Sequence, residues 1–315
     1  MLCAALAYAP VEDAAAQSAY PSKPVRMIVP FPAGGTTDIV ARGIAQLMSA
    51  SWGQQVIVDN RAGASGAIGA AVAAQAPPDG YTLVMASTAI LAINPHLRRN
   101  LPYSVRRDFA PVSLAVVTPN LLAVHPSLPV RSVKDLLALA KAKPDGIIFG
   151  SSGTGSVGHL ALEQFRTLGG VRMLHVPYKG ALPAEVDLLA GHIAVMASGM
   201  VSVLPHVKSG RVRGLAVTSA KRTPLLPEMP AVSEVLPGFD AGAWFGVLAP
   251  AGTPVPILEQ LHRAIAAALR TPELRVRLSG NGAEVIGSSP QEFQRYIAEE
   301  SERYGRLLRN AGIGS

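Results

Sequence analysis

Two stretches of this 315-residue chain share one design: a short β-rich apolar run, a turn of glycine and hydroxyl residues, and a helix start. The first is VRMIVPFPAGGTTDIVARGIAQL, from Val25 to Leu47, and the second is GIIFGSSGTGSVGHLALEQF, from Gly146 to Phe165. A helix that begins at such a turn leaves its first N–H groups without intrahelical partners, at the positive end of the helix dipole. Such an end can receive a carboxylate or a phosphate. Two of them in one chain predict a cleft that holds an anion from both sides.

Length and composition favour a two-domain α/β protein. A chain of 315 residues exceeds one ordinary domain, and 49% hydrophobic residues can fill large cores. Charged residues make up 16% of the chain, whereas about 25% is typical of globular proteins. The net charge of +7 comes from scattered Lys and Arg, and only 5% of the residues are aromatic. Because a nucleic-acid groove needs a basic stripe with interleaved aromatics, we expect no nucleic-acid partner.

Alternating strand and helix patterns indicate sheets that are covered on both faces. Short β-rich apolar runs predict strands, and apolar residues at helical spacing predict helices. Ser132 and Asp135 form a capping-box pattern that places a helix start at Val133. The predicted strands are 25–29, 55–58, 81–86, 121–125, 147–149, 173–176, 193–196 and 212–218, and the predicted helices are 38–49, 65–76, 133–141, 156–168, 181–190, 201–208, 256–269, 272–278 and 290–311.

No linker, repeat or low-complexity segment divides the chain, so the domain boundaries depend on where the chain crosses between domains. Two crossings would use extended segments, and the best candidates are 121–125 and 244–249. The predicted parts are a leader at 1–20, a first domain made of 21–122 plus 249–315, and a second domain at 123–248.

The leader is similar to the end of an export signal, because a short apolar start is followed by Ala16-Gln17-Ser18-Ala19, a small-residue stretch suited to signal peptidase. Basic residues are absent from its start, and Glu12 and Asp13 interrupt the apolar run, so a disordered cytosolic leader is the alternative. The single cysteine, Cys3, lies in the leader, and a thiol-free remainder is compatible with an oxidising periplasm. No later apolar run reaches the roughly 18 residues that span a bilayer. We expect an exported, periplasmic protein of the Gram-negative type.

A dinucleotide-dependent enzyme is the main catalytic alternative, because Gly153-Thr154-Gly155-Ser156-Val157-Gly158 matches the fingerprint Gly-x-Gly-x-x-Gly. That site also needs an acidic residue about 20 positions further on, and residues 173–178 contain none. A hydrolase nucleophile elbow would need glycine in place of Thr154. The seven histidines show no metal-ligand spacing. The sequence therefore predicts no enzyme activity, no cofactor and no metal.

The run YPSKPVRMIVPFPAGGTTDIVAR resembles the opening of the tripartite tricarboxylate transporter substrate-binding receptors, also called Bug proteins. The resemblance continues, in the order typical of that family, through QQVIVDNRAGASGAIGA, APPDGYTLVMAS, RRDFAPVSL, VPYKG, GRVRGLAVTSAKR and WFGVLAPAGTP. It implies a fold of the type II periplasmic-binding-protein kind, with two α/β lobes, a mixed sheet in each, and a ligand cleft that closes like a Venus flytrap. It also implies capture of a small organic carboxylate, partly through bridging waters, and its delivery unchanged to the permease subunits of a membrane transporter. A periplasmic sensor that feeds a signalling system uses the same fold and is the alternative; a monomer is the simplest expectation.

Loops on both sides of the predicted cleft supply the candidate ligand contacts. Gly34 and Gly35 let a ligand approach the backbone closely, and Thr36 or Thr37 can cap the helix that follows. Neither glycine turn contains Lys or Arg, so dipoles, hydroxyls and water are expected to hold the carboxylate. The candidate ligand-binding residues are Phe31, Ala33, Gly34, Gly35, Asp38, Ser87, Thr88, Ser152, Gly153, Thr154, Gly155, Ser156, His159, Tyr178, Ser198 and Asp240.

Several of these candidates also have a purely structural interpretation. Asp38 suits the helix dipole without touching the ligand, and His159 can be a packed helix histidine. Asp240 and Trp244, beside the second crossing, can serve hinge packing alone. The chain departs from the family pattern at 191–197, which lacks the acidic residue commonly found there. This departure favours a plain or apolar acid over a ligand with a polar far end.

Overall fold

The computed structural model describes residues 20–310, so residues 1–19 of the leader predicted at 1–20 and the last residue of the helix predicted at 290–311 lie outside the described residues. The strands are β1 (Val25–Val29), β2 (Val56–Asn60), β3 (Thr82–Ser87), β4 (Phe109–Val124), β5 (Ile148–Ser151), β6 (Leu174–Pro177), β7 (Val195–Gly199), β8 (Arg213–Val217), β9 (Gly242–Pro250) and β10 (Glu284–Val285). The α-helices are α1 (Thr36–Trp52), α2 (Ala67–Ala74), α3 (Asn94–Leu97), α4 (Val105–Asp108), α5 (Val133–Ala142), α6 (Val157–Gly169), α7 (Ala181–Ala190), α8 (Met200–Lys208), α9 (Val255–Arg270), α10 (Pro272–Ser279) and α11 (Pro290–Asn310).

The strands form two mixed sheets that share β4. In the first sheet the order is β2-β1-β3-β9-β4, with β1 parallel to β2 and β3, and β9 antiparallel to β3 and β4. In the second sheet the order is β4-β7-β5-β6, with β5 parallel to β6 and β7, and β4 antiparallel to β7 and β8. The predicted pair of α/β lobes with a mixed sheet in each is therefore confirmed.

The long strand β4 carries the chain from the first sheet to the second. Residues 109–119 of β4 pair with β9, and residues 120–124 pair with β7. β9 lies in the first sheet along its whole length, from Gly242 to Pro250. Strand pairing places the first crossing at Pro119–Asn120 and the second just before Gly242. The second crossing therefore lies N-terminal to the segment 244–249, where the sequence predicted it. We propose the domain division at these two points.

Thr218 ties the two crossing segments together. Its hydroxyl donates to the carbonyl of Ala241 at 2.7 Å and accepts from the N–H of Asn120 at 3.1 Å. Its own N–H donates to the carbonyl of Asn120 at 2.9 Å, and the N–H of Ala241 donates to the carbonyl of Thr218 at 2.8 Å. Because Thr218 is buried, these bonds are shielded from water and hold both segments at one point.

The helices bury the apolar faces that their periodicity predicts. In α1, the side chains of Val40, Ile44 and Met48 are fully buried in the core of the first lobe. The predicted cap of α5 is confirmed, because the Ser132 hydroxyl accepts from the N–H of Asp135 at 3.1 Å. Local sequence signals therefore place α5 within one residue and α1 within three residues of the observed bounds.

Several elements differ from their predictions: α3, α4 and β10 have no predicted counterpart, β7 lies at Val195–Gly199 and not at 193–196, and two others begin elsewhere for reasons that the structure shows. β4 begins at Phe109 and not at residue 121. The prediction missed its first part because Pro111 and Pro119 interrupt the sequence pattern of a strand. In the structure, this part pairs with β9 through two register shifts. The helix predicted at 65–76 begins at Ala67, because the four residues 63–66 all have positive φ angles, of 139°, 48°, 53° and 89°. No right-handed helix contains such angles.

Candidate ligand-binding site

A cavity of about 70 Å³, here called the inner cavity, lies between the two lobes. None of the residues that line it carries a charge. They come from both lobes: Phe31, Pro32, Gly35, Thr36, Thr37, Ser87, Thr88, Ala89, Ala243 and Phe245 from the first, and Asn120, Ser152, Ser156, Val157, Gly158, Ala181, Met196, Ala197, Ser198 and Gly199 from the second.

The N-terminus of α1 opens onto the inner cavity. Its N-cap residue, Gly35, makes no side-chain cap, and the first helical bond is that from Ile39 N–H to the Gly35 carbonyl. The N–H groups of Thr36 and Thr37 therefore have no partner among the described residues. The expectation that Thr36 or Thr37 caps this helix is wrong: the Thr36 hydroxyl instead reaches the hydroxyl of Ser202, in the other lobe, at 3.5 Å.

The N-terminus of α6 faces the same cavity from the second lobe. Ser156 is its N-cap, and the Ser156 hydroxyl accepts from the N–H of His159 at 3.2 Å. Val157 and Gly158, the first two residues of this helix, line the cavity. The positive ends of two helix dipoles thus converge on one uncharged space, which is a favourable environment for an anion.

The side chains of Thr37, Ser87, Asn120 and Ser152, all in the cavity wall, make no hydrogen bond with other described residues. The Ser87 hydroxyl is buried and has no hydrogen-bond partner among the described residues. Asn120, at the β4 crossing, is buried, and the hydrogen bonds it makes within the described chain use its backbone. Thr88 differs, because its hydroxyl is bonded to the backbone of Trp244 in β9. Ser87 and Asn120 are therefore among the side chains available to bond a ligand.

A second cavity, here called the outer cavity, adjoins the inner one and shares Phe31 and Ser152 with it. Its volume is about 280 Å³. Arg98 and Lys179 line it, one from each lobe, and place positive charge on the approach to the uncharged inner cavity. Such an approach raises the local concentration of anions without forming a fixed ion pair with them.

Ser65 connects the lobes across the cleft. Its hydroxyl donates to the carbonyl of Thr154, in the glycine turn of the second lobe, at 2.6 Å. Ser65 and its neighbour Ala64 have φ angles of 53° and 48°, which are uncommon for residues other than glycine. The side-chain amide of Asn94 donates to the Ser65 carbonyl at 3.2 Å and supports this conformation. The lobes are thus in contact across the cleft, an arrangement here called the closed form.

Asp38 supports the first glycine turn from behind and lines neither cavity. Its carboxylate accepts from the N–H of Gly34 at 3.0 Å, from Arg42 Nε at 2.8 Å and from Asn60 Nδ2 at 2.9 Å. Burial raises the pKa of Asp38, but these three hydrogen bonds outweigh burial and hold the pKa below its ordinary value. Among the described residues its bonds are thus all structural, and they fix the turn that aims α1.

His159 supports the second glycine turn in a similar way. Its Nδ1 accepts from the N–H of Gly155 at 3.3 Å, and its ring contacts that of His175 at a centroid distance of 4.3 Å. His175 Nε2 bonds in turn with the hydroxyl of Ser151 at 2.7 Å. Burial lowers the pKa of both histidines to about 4. Both rings are therefore neutral near pH 7 and carry no charge toward the ligand.

The sixteen candidates predicted from the sequence separate into three groups by position. Tyr178 lies in the outer cavity, and its hydroxyl donates to Asp187 at 2.6 Å. Asp240 accepts from Arg303 at 3.1 Å and from the N–H of Ala220, beside the second crossing. The inner cavity is lined by Phe31, Gly35, Ser87, Thr88, Ser152, Ser156 and Ser198; the outer one also by Gly153, Thr154 and Tyr178; and neither by Ala33, Gly34, Asp38, Gly155, His159 and Asp240.

Sequence reasoning missed cavity residues that lie outside the two glycine turns. Asn120 belongs to a strand whose first part was not predicted, although Thr-Pro-Asn before an apolar run was a possible signal. Gly199 is the last residue of β7 and the N-cap of α8. Its Cα lies so close to Thr36 that an added Cβ would be 2.2 Å from the Thr36 hydroxyl. Contacts of this kind join residues that are far apart in the chain.

Comparison with known proteins assigns the family. Residues 40–313 match the model of the tripartite tricarboxylate transporter family receptor, TctC. The chain belongs to this receptor family. It is 39% identical to Protein BugT of Bordetella pertussis, over 93% of this chain and 90% of BugT. It is 40% identical to a protein of the tcbD-tcbE intergenic region of Pseudomonas sp. (strain P51), over 92% of this chain and 87% of that protein.

Solved receptor structures share the whole fold. The R. palustris protein Rpa4515, with adipate, superposes with a TM-score of 0.91 and 41% identity, covering 94% of this chain and 99% of that one. Periplasmic binding protein BugD gives a TM-score of 0.90 and 35% identity, with coverage of 94% and 99%. MatC from Rhodopseudomonas palustris, with bound malate, gives a TM-score of 0.87 and 32% identity, covering 92% of this chain and 100% of MatC. The resemblance stated from the sequence, and its periplasmic-binding-protein fold, are confirmed.

Proposed function

We propose that this chain is a periplasmic receptor that captures a small organic carboxylate in the inner cavity and delivers it unchanged to the permease subunits of a tripartite tricarboxylate transporter. The observation that carries the proposal is the convergence of the α1 and α6 N-termini, one from each lobe, on a single uncharged cavity. Adipate and malate, bound to two receptors of the same fold, are both small carboxylates, and they support this ligand class.

Hydrogen-bond donors without protein partners account for carboxylate binding. The N–H groups of Thr36 and Thr37 supply two donors, and the hydroxyl of Ser87 supplies a third. Ordered water can bridge the remaining distances at little enthalpic cost. Because the donors are fixed by the backbone and no cation is needed, the site can release its ligand more readily than an arginine clamp would.

Closure of the lobes over the ligand is the proposed step that creates the form the permease recognises. A ligand that bonds groups of both lobes favours the closed form by as much as its extra contacts in that form are worth. The bond from Ser65 to Thr154 and the contact from Thr36 to Ser202 form only when the lobes meet. The crossings tied by Thr218 are the natural hinge.

The proposed location and chemistry follow from the family. The described residues include no helix with the length and apolar character of a membrane span. A periplasmic, monomeric receptor without catalytic activity fits a family of solute-binding receptors. Delivery to a permease extends that family-level function to this chain.

A thermal-shift panel tests the proposed function. The protein is unfolded and refolded to remove carried-over ligand, and then incubated with mono-, di- and tricarboxylates, aromatic acids, and the neutral amide of each acid. We expect at least one acid to raise the melting temperature by several degrees, as ligand at about 100 times its Kd stabilises by roughly 2.7 kcal/mol, while its amide has no effect. A panel in which no acid stabilises the protein, or in which a bound acid is turned over, would contradict the proposal.

A further inference from the structure

Glu185 is a buried acidic residue directly behind one wall of the inner cavity. It lies on α7 with 2% of its surface exposed. Its Oε1 accepts from the hydroxyl of Ser198 at 2.5 Å and from the hydroxyl of Ser202 at 2.6 Å. Ser198 lines the inner cavity, and Glu185 does not. Glu185 therefore affects the cavity through its hydrogen bond with Ser198. The side of the cavity that Ser198 lines is here called the Ser198 wall.

The direction of these hydrogen bonds decides what the Ser198 wall offers to a ligand. A hydroxyl has one proton and two lone pairs. Ser198 uses its proton on Glu185. Ser202 likewise has one proton, and the two acceptors within its reach are Glu185 Oε1 and the carbonyl of Gly199. The oxygen of Ser198 is thus left with lone pairs toward the cavity and accepts a hydrogen bond instead of donating one.

The negative charge of Glu185 strengthens the hydrogen-bond accepting character of Ser198. Glu185 forms no ion pair with any residue between 20 and 310, and the two serine hydroxyls are its hydrogen-bond donors in that range. A buried carboxylate without a cation is costly unless donors or a positive group approach it. The cavity therefore has an electropositive end at the α1 and α6 amides and an electronegative side at the Ser198 wall.

We propose that Glu185, acting through Ser198, makes the receptor selective for carboxylates that carry a hydrogen-bond donor, an ammonium or a hydroxyl group, apart from the carboxylate itself. The inference rests on the proposed function, since it concerns the other end of the same ligand. It also explains how a chain without an acidic residue at 191–197 can still recognise a polar far end. The structure supplies the acidic group from α7 instead.

Ligand pairs of equal chain length measure this selectivity. Titration calorimetry compares succinate with γ-aminobutyrate, glutarate with δ-aminovalerate and adipate with ε-aminocaproate, together with the matching ω-hydroxy acids. At the chain length that binds best, the amino or hydroxy acid is expected to bind at least about tenfold more tightly than the diacid, which is the order of one hydrogen bond to a charged group. Tighter binding of the diacid at every length would overturn the inference.

Variants separate the role of Glu185 from a merely structural one. Glu185→Gln keeps the shape of the side chain but removes the charge and adds a donor, so the ratio of amino-acid to diacid affinity should fall at least about tenfold. Ser198→Ala removes the acceptor itself and should lower the same ratio in a protein that retains Glu185. Glu259→Gln, which removes an exposed charge on α9, is the matched control and should leave the ratio unchanged.

The outcomes also separate this inference from the proposed function. If acids bind but Glu185→Gln and Ser198→Ala leave the affinity ratio unchanged, the selectivity inference is wrong and the carboxylate receptor stands. If no acid of any pair binds to the wild-type protein, the proposed function fails and the inference fails with it.

Discussion

Replacing Gly199 with alanine is expected to hold the lobes apart and to lower ligand affinity by at least about tenfold, or 1.4 kcal/mol. Gly199 has a φ of −55°, which alanine adopts freely, so the fold of the second lobe should be retained. The added methyl carbon, however, would lie 2.2 Å from Thr36 Oγ1 and 3.1 Å from Thr36 Cβ, across the cleft. Rotation of Thr36 can move its hydroxyl but not its Cβ, so a contact of 3.1 Å, a few tenths of an ångström too short, remains while the cleft is closed.

The matched control for this variant is Gly242→Ala. Gly242 lies at the second crossing, and no heavy atom would come within 4 Å of a Cβ added there. Ligand affinity is measured by calorimetry, and closure by the decrease in radius of gyration on ligand addition in X-ray scattering. Gly242→Ala should behave as wild type in both measurements. If Gly199→Ala closes and binds as tightly as wild type, the closed form described here is not the ligand-binding form.

Replacing Gly34 with valine should abolish ligand-induced stabilisation while leaving the protein folded. Gly34 has a φ of 88°, where a residue with a side chain pays roughly 1–2 kcal/mol, and its N–H donates to Asp38 at 3.0 Å. An added Cβ would also lie 3.1 Å from Leu182 of the opposite lobe. The turn must therefore change its path, and the Thr36 and Thr37 amides no longer point to the same place.

Gly53→Val is the matched control, because Gly53 ends the same helix in the same left-handed region, with a φ of 63° and no atom within 4 Å of an added Cβ. Both variants should lose similar stability in the absence of ligand, measured by urea unfolding. Only Gly34→Val should lose the rise in melting temperature with ligand. Equal ligand responses of the two variants would remove the α1 turn from the binding site.

The sequence predicted those parts of the fold that depend on local patterns. The start of α5 at Val133 and the helix at 181–190 were predicted correctly, since capping and apolar periodicity act over a few residues. The first part of β4 was missed, because its pattern is broken by two prolines and its pairing partner, β9, lies more than a hundred residues further along the chain. Strand pairing at that distance leaves no local signal.

The candidate site was predicted in a similarly uneven way. The two glycine turns do bring Gly35 and Ser156 to one cavity, as the helix-dipole argument predicts. The same turns contain Gly34 and Gly155, which shape the backbone and line neither cavity; composition does not distinguish these two roles. Glu185 was not considered as a site residue, because its effect passes through Ser198 on another element.

A crystal structure of the protein with the carboxylate that binds best tests the central claim most directly. The account predicts the carboxylate in the inner cavity, within hydrogen-bond reach of the Thr36 and Thr37 N–H groups, directly or through one water, with α6 of the other lobe closed over it. A ligand seated elsewhere with the inner cavity empty, or a ligand bound there while the two helix N-termini stay apart, would contradict it.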